Sequence, residues 1–122
     1  MSDPFRAKIL LAESNLPLRS LLIEILEARG HAVRTAEDGI LARDLFELAP
    51  EDFDLVVIRS RLPQMNGLEL FRVVRTMAPG KPVLFMKESA DEEIVGLAPC
   101  CEVISKPFSK HQFITAVQRC LS

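Results

Sequence analysis

The chain has no tryptophan, no tyrosine and only three cysteines among its 122 residues. Cys100, Cys101 and Cys120 are an odd number without metal-ligand spacing. The adjacent pair reads as small core-filling residues near a strand rather than as a redox couple. No apolar run approaches the roughly 20 residues that span a bilayer. The opening MSDPFRAK has neither a long apolar core nor a small-residue cleavage site, so a cytoplasmic protein is expected. No run of Lys and Arg forms a basic arm, and a net charge of -2 gives no pull toward nucleic acid or a membrane surface. No nucleophile and base pair and no metal cluster stands out. His31 and His111 fall beside a strand and in the last helix, both at the expected surface, so neither an enzyme nor a cofactor protein is expected.

What is present is ordinary globular composition, with 48% hydrophobic and 26% charged residues, in a length that fits one domain over residues 1–122. Five short apolar runs (Ile9 to Leu11, Ala32-Val33, Leu55 to Ile58, Val83 to Met86, Val103-Ile104) alternate with segments of helical period. The longer runs lack polar alternation, which suits parallel strands covered on both faces. Leu18, Leu21, Leu22, Ile25 and Leu26 mark a first helix, with Asn15 as N-cap, Pro17 in its first turn and Gly30 past its end. Leu41, Leu45 and Leu48 mark a second, and Leu70, Val73, Val74 and Met77 a third opened by Asn66-Gly67. Phe113, Ala116, Val117 and Cys120 mark the last. The fourth is weak: from Asp91 to Leu97 it offers Ile94, Val95 and Leu97, contains Gly96 and stops at Pro99. The pattern predicts an α/β fold, a doubly wound five-stranded parallel sheet of order 2-1-3-4-5 flanked by five helices, the fourth short or irregular. In that order the ligand crevice lies at the carboxyl ends of strands one and three, where Glu13 and Arg59 stand.

Three motifs occur in order and at suitable spacing: ILLAESNLPLR, DLVVIRSRLPQMNG and ISKPF. Together they resemble a response-regulator receiver domain over nearly the whole chain. The resemblance implies two adjacent acids after the first strand, a phosphate-accepting Asp after the third, Thr or Ser after the fourth and Lys after the fifth. Those positions hold Glu13-Ser14, Arg59, Lys87 and Lys106, so Lys106 keeps the family's residue and Glu13 is the one acid left, longer than Asp. The family's Lys-Pro bond there is commonly cis, and cis is expected for Lys106-Pro107. Val103 occupies the place of the aromatic residue that swings inward in phosphorylated receivers. From Lys87 to Lys106 the chain advances 19 positions, about three fewer than receivers usually have, or nearly one helical turn.

A guanidinium is charged at every accessible pH and cannot attack a phosphoryl donor as a carboxylate does. One carboxylate remains where the metal of a receiver expects three. A unit positive charge about 5 Å from a divalent ion, at an effective dielectric of about 20, is repelled by roughly 6 to 7 kcal/mol. Half of that still lowers affinity more than tenfold, so no metal is expected. Ser60, one position along an extended segment, should face away from the crevice.

Two arrangements follow for the degenerate site. Arg59 bridges Glu13 bidentately in a locked, ligand-free cluster with Lys106. Alternatively Arg59, Lys87 and Lys106 converge as an anion or nucleotide pocket. The resemblance implies a signalling role. The function read from these residues is a phosphorylation-independent protein-protein interaction module, with a working phosphoreceiver less favoured and an enzyme with its own turnover least. The partner, a histidine kinase, another signalling protein or an additional domain of the same polypeptide, is expected on the face of the fourth helix, fifth strand and last helix. Its expected contacts are Ile94, Val95, Leu97 and Val103, with His111 and Gln112 at the rim.

Overall fold

Apolar runs without polar alternation become the three central strands of the sheet, as expected for strands covered on both faces. A computed structural model describes residues 6–97 and 102–122. In chain order the elements are β1 (Lys8–Ala12), α1 (Leu16–Ala28), β2 (Ala32–Ala36), α2 (Gly39–Leu48), a single 3-10 turn at Pro50–Asp52, β3 (Leu55–Arg59), α3 (Gly67–Met77), β4 (Val83–Lys87), β5 (Glu102–Ser105) and α4 (Lys110–Leu121). All strand pairs are parallel and the order is β2-β1-β3-β4-β5. The doubly wound sheet predicted from the sequence is therefore present.

Period-two alternation divides the strands between two cores. Ile9, Leu11, Leu55, Val57, Leu84 and Met86 pack beneath α1 and α4. Leu10, Ala12, Val56, Ile58, Val83 and Phe85 pack beneath α2 and α3. Every one of these twelve residues is enclosed. Carried two residues past each strand's last core position, the first register reaches Glu13, Arg59 and Glu88 at one edge of the sheet.

Helix starts are capped as the sequence suggests. Asn15 accepts from the Leu18 amide, Pro17 lies in the first turn of α1, and Asn66 with Glu69 forms a capping box on α3. The buried stripe of α4 is the expected Phe113, Ala116, Val117 and Cys120. The stripe of α2 is not. Gly39, Ala42 and Phe46 are buried, whereas Leu41 is 40% exposed and Leu48 82%. The helix lies so close to the loop after β3 that a Cβ at Gly39 would fall 1.8 Å from the Met65 carbonyl oxygen. Small residues take that face, and Phe46 stacks on Phe53 at a centroid distance of 6.3 Å. Leu21 and Met77 are likewise half exposed instead of buried.

The described residues hold four helices, not five. Residues 91–97 are irregular, for three local reasons. Gly96 sits at φ 88°. The Glu92 side chain, at 2.7 Å, takes the Glu88 amide hydrogen, a local bond that competes with helix. Only Ile94 and Leu97 turn inward, packing on the α2/α3 core. His31 is half buried, not at the surface as expected, and its Nδ1 accepts from the Ala7 amide at 3.0 Å. Burial, followed by the nearby Arg29 charge, holds its pKa below the usual value. Cys100 and Cys101 lie outside the described residues.

Gly67 is a second point of close approach, since its Cβ would stand 2.2 Å from the Arg59 carbonyl oxygen, whereas Gly80 meets nothing within 4 Å. Gly67→Ala should destabilise the fold by about 1 to 3 kcal/mol through forced backbone movement. Gly80→Ala should be neutral or stabilising by a few tenths. Urea denaturation of the two variants makes the comparison, and equal midpoints would contradict it.

Candidate functional site

The crevice is built by the carboxyl ends of β1, β3 and β4 and the turn after β5. Glu13 follows β1 directly and is fully enclosed. Its Oε2 accepts from the Asn15 amide and from Arg59 Nη1, both at 2.9 Å, and its Oε1 accepts from Lys106 Nζ at 3.1 Å. Arg59, the last residue of β3, also donates from Nη1 to Ser14 Oγ at 2.8 Å. Its Nε and Nη2 donate to Glu88 Oε2 and Oε1 at 2.9 and 3.0 Å. Four of the five guanidinium N–H groups are thus engaged.

The bidentate fork therefore closes on Glu88, with a single N–H going to Glu13, where a fork to Glu13 was expected. Strand alternation explains the difference. Glu88 lies two residues beyond Met86 and shares its face, while Lys87, one residue earlier, points elsewhere. Lys87 Nζ donates to the Ala90 carbonyl at 3.4 Å. The structure brings Glu13, Ser14, Arg59 and Lys106 together and leaves Lys87 aside. Ser60 carries the opposite register, yet its Oγ donates to Glu92 Oε1 at 3.0 Å and lies 3.4 Å from Glu88 Oε2. It belongs to the outer margin of the same network. Glu88, Glu92 and Ser60 are the members that motif reasoning missed, and the two-residue step past each core strand is the signal that points to Glu88.

Electrostatically the cluster is self-sufficient. Arg59 and Lys106 face Glu13 and Glu88, and the Arg59 and Glu88 side chains are only 19% and 16% exposed. The hydrogen bonds from Arg59 hold the Glu88 carboxyl below its usual pKa, against the opposing effect of burial and with help from the Lys106 charge. The same bonds raise that of Arg59. The donor set does not suit magnesium. Both Glu13 oxygens are committed to cations, the Glu88 carboxylate is forked by a guanidinium, and among the described residues no group of three His, Cys, Asp or Glu could hold a metal ion.

On the expected partner face, Val95 and Val103 are exposed at 81% and 42%. Ile94 and Leu97 are half buried in the core and so supply less of that surface than expected. His111 and Gln112 are exposed, and the Gln112 side chain closes the α4 capping box with Ser109. A hollow of about 580 Å³ runs between β5 and α4, with Val103 and His111 among its lining. The Lys106–Pro107 peptide is cis, as the resemblance implied.

A parallel sheet in this order, with its crevice where β1 and β3 end, defines a flavodoxin-like α/β domain. The chain belongs to the response regulator receiver domain family, whose model matches residues 9–118. It is 29% identical over 117 residues to the response regulator MprA of Mycobacterium sp. (strain KMS), covering 93% of this chain and 50% of that protein. Among solved structures, the non-phosphorylated HemR receiver domain from Leptospira biflexa is 32% identical with a TM-score of 0.88, covering 96% of this chain and 95% of that one. Chemotaxis protein CheY4 of Vibrio cholerae is 25% identical with a TM-score of 0.83, covering 96% and 100%. The chain spans about half the length of the curated relatives it matches. Its family is that of two-component signalling. No helix among the described residues is long and apolar enough to cross a membrane.

Two outcomes follow from the network. Arg59→Ala, which strips a cation from an enclosed carboxylate, should cost about 3 to 5 kcal/mol in urea denaturation, and Arg59→Lys, which loses the fork, about 1.5 to 3. The depressed Glu88 pKa contributes stability that is complete above the ordinary value near 4.5 and is lost as pH falls through the lower folded value. Glu88→Gln should flatten the stability profile in that acidic window and leave its shape near neutrality unchanged.

Proposed function

We propose that this receiver works without phosphorylation, as a protein-protein interaction module whose crevice is held in one state by its own side chains. The observation that carries the reading is the Arg59 guanidinium, which binds Glu88 through two N–H groups, Glu13 through a third and Ser14 through a fourth. It stands at the position that in receivers accepts phosphate, and it supplies a fixed positive charge in place of a nucleophile and metal ligand. The exposed Val103, which lines the β5–α4 hollow, supports a partner on that face, and Val95 in the segment before β5 is exposed as well. A histidine kinase, another signalling protein or a further domain of the same polypeptide are the classes of partner consistent with it.

The anion-pocket alternative draws less support. Lys87 turns to the Ala90 carbonyl, and the two remaining cations are matched by two carboxylates.

The full chain treated with acetyl phosphate, or with beryllofluoride and millimolar Mg²⁺, should show no phosphoryl adduct by mass spectrometry and no amide shift at Glu13, Arg59 or Glu88. Capture of a partner should be the same with and without acetyl phosphate and should fail for Val103→Asp. An adduct, or shifts clustered on the crevice, would refute phosphorylation independence.

A further inference from the structure

The exposed leucines of α2 mark a second surface, remote from the β5–α4 face and independent of the reading just given. Leu41, Leu45 and Leu48 follow one another at helical spacing. Leu45 is half buried against the core, while Leu41 and Leu48 stand out at 40% and 82% exposure, with Ile40 at 36% beside them. Two shallow hollows accompany the line. One, of about 330 Å³, is lined by Asp38, Ile40, Leu41, Asp44 and Gln64. The other, of about 360 Å³, is lined by Asp44, Glu47 and Leu48. Leu48 lies seven positions after Leu41, about 10.5 Å along the axis, or two turns.

The charge along this segment is predominantly negative, with Asp52 at its far end bridged by Lys8 at 3.7 Å. Between positions 37 and 52 the sequence places Glu37, Asp38, Asp44, Glu47, Glu51 and Asp52 against Arg43 alone, an excess of five negative charges. The whole chain carries only -2, so the remainder is positive by three. Arg43 is spent locally, at 3.0 Å from Asp44 and 4.0 Å from Glu47. That sign chooses the occupant. A second copy would oppose one acidic face to another, and nucleic acid or an anionic membrane would be repelled in the same way.

We infer that the outer face of α2 binds a cationic amphipathic helix of another protein, one whose apolar residues recur every two turns and are flanked by Lys or Arg. Apolar tips enter the two hollows over Leu41 and Leu48, and the flanking cations meet Asp38, Asp44 and Glu47. Contact on this scale is small, which suits a transient association.

Titration of the ¹⁵N-labelled full chain with a synthetic Leu/Lys helical peptide, its leucines on one stripe, is the test. A scrambled peptide of the same composition is the control. Saturable amide shifts confined to positions 37–48, weakened by high salt, are expected with the striped peptide. Leu41→Ser/Leu48→Ser and Asp44→Asn/Glu47→Gln should each reduce affinity at least about tenfold, the equivalent of 1.4 kcal/mol. Because these side chains are exposed, both variants should keep the parent thermal midpoint, which separates lost binding from lost folding. Equal binding of the scrambled peptide, shifts spread over the chain, affinity unchanged in the variants, or concentration-dependent dimerisation through α2 would each overturn the inference.

Discussion

Glu13 is enclosed completely where β1 ends, and a carboxylate so placed is tolerated only if cations and N–H groups fill its lone-pair sites. Asn15, Arg59 and Lys106 do so from three directions. Once Arg59 is committed to Glu13, its remaining N–H groups need acceptors, and Glu88 and Ser14 provide them. The chain of requirements then runs outward: Glu92 takes the Glu88 amide and the Ser60 hydroxyl, which ties the start of the segment after β4 to the loop after β3. One enclosed acid thus organises the whole carboxyl edge of the sheet. Two cations thereby meet two carboxylates within the cluster.

Much of the fold could be read from the residues because strand burial and helix capping are local signals. Leu55 to Ile58, Asn15 and the α4 stripe behave as their spacing implies. The second helix departs from its apolar spacing for a physical reason. Close backbone approach at Gly39 reserves its buried face for Gly, Ala and one Phe, and sends leucines outward. Between β4 and β5 the sequence warned of weakness without revealing its cause, since the bond from Glu88 to the Glu92 carboxylate is a side-chain choice that periodicity does not record. At the site, family motifs drew attention to Lys87. Strand alternation, which is indifferent to motifs, selects Glu88.

The two proposed surfaces differ in kind. Near β5 and α4 the exposed Val103 stands with His111 along one hollow, on a face that the resemblance to receivers already suggested. The α2 face is acidic and carries a line of leucines with two shallow hollows beside it. Positions 37 to 52 carry an excess of five negative charges in a chain whose net charge is -2.

Gly39 and Gly67 place main chain directly against main chain, at Met65 and at Arg59 and Ser60, with no side chain between. Side chains between packed elements act as a compliant layer, since rotamer changes absorb small displacements; bare backbone contacts cannot. The lip of the crevice and the first turn of α2 are therefore coupled through backbone contacts, where a shift of either leaves no rotamer to take it up.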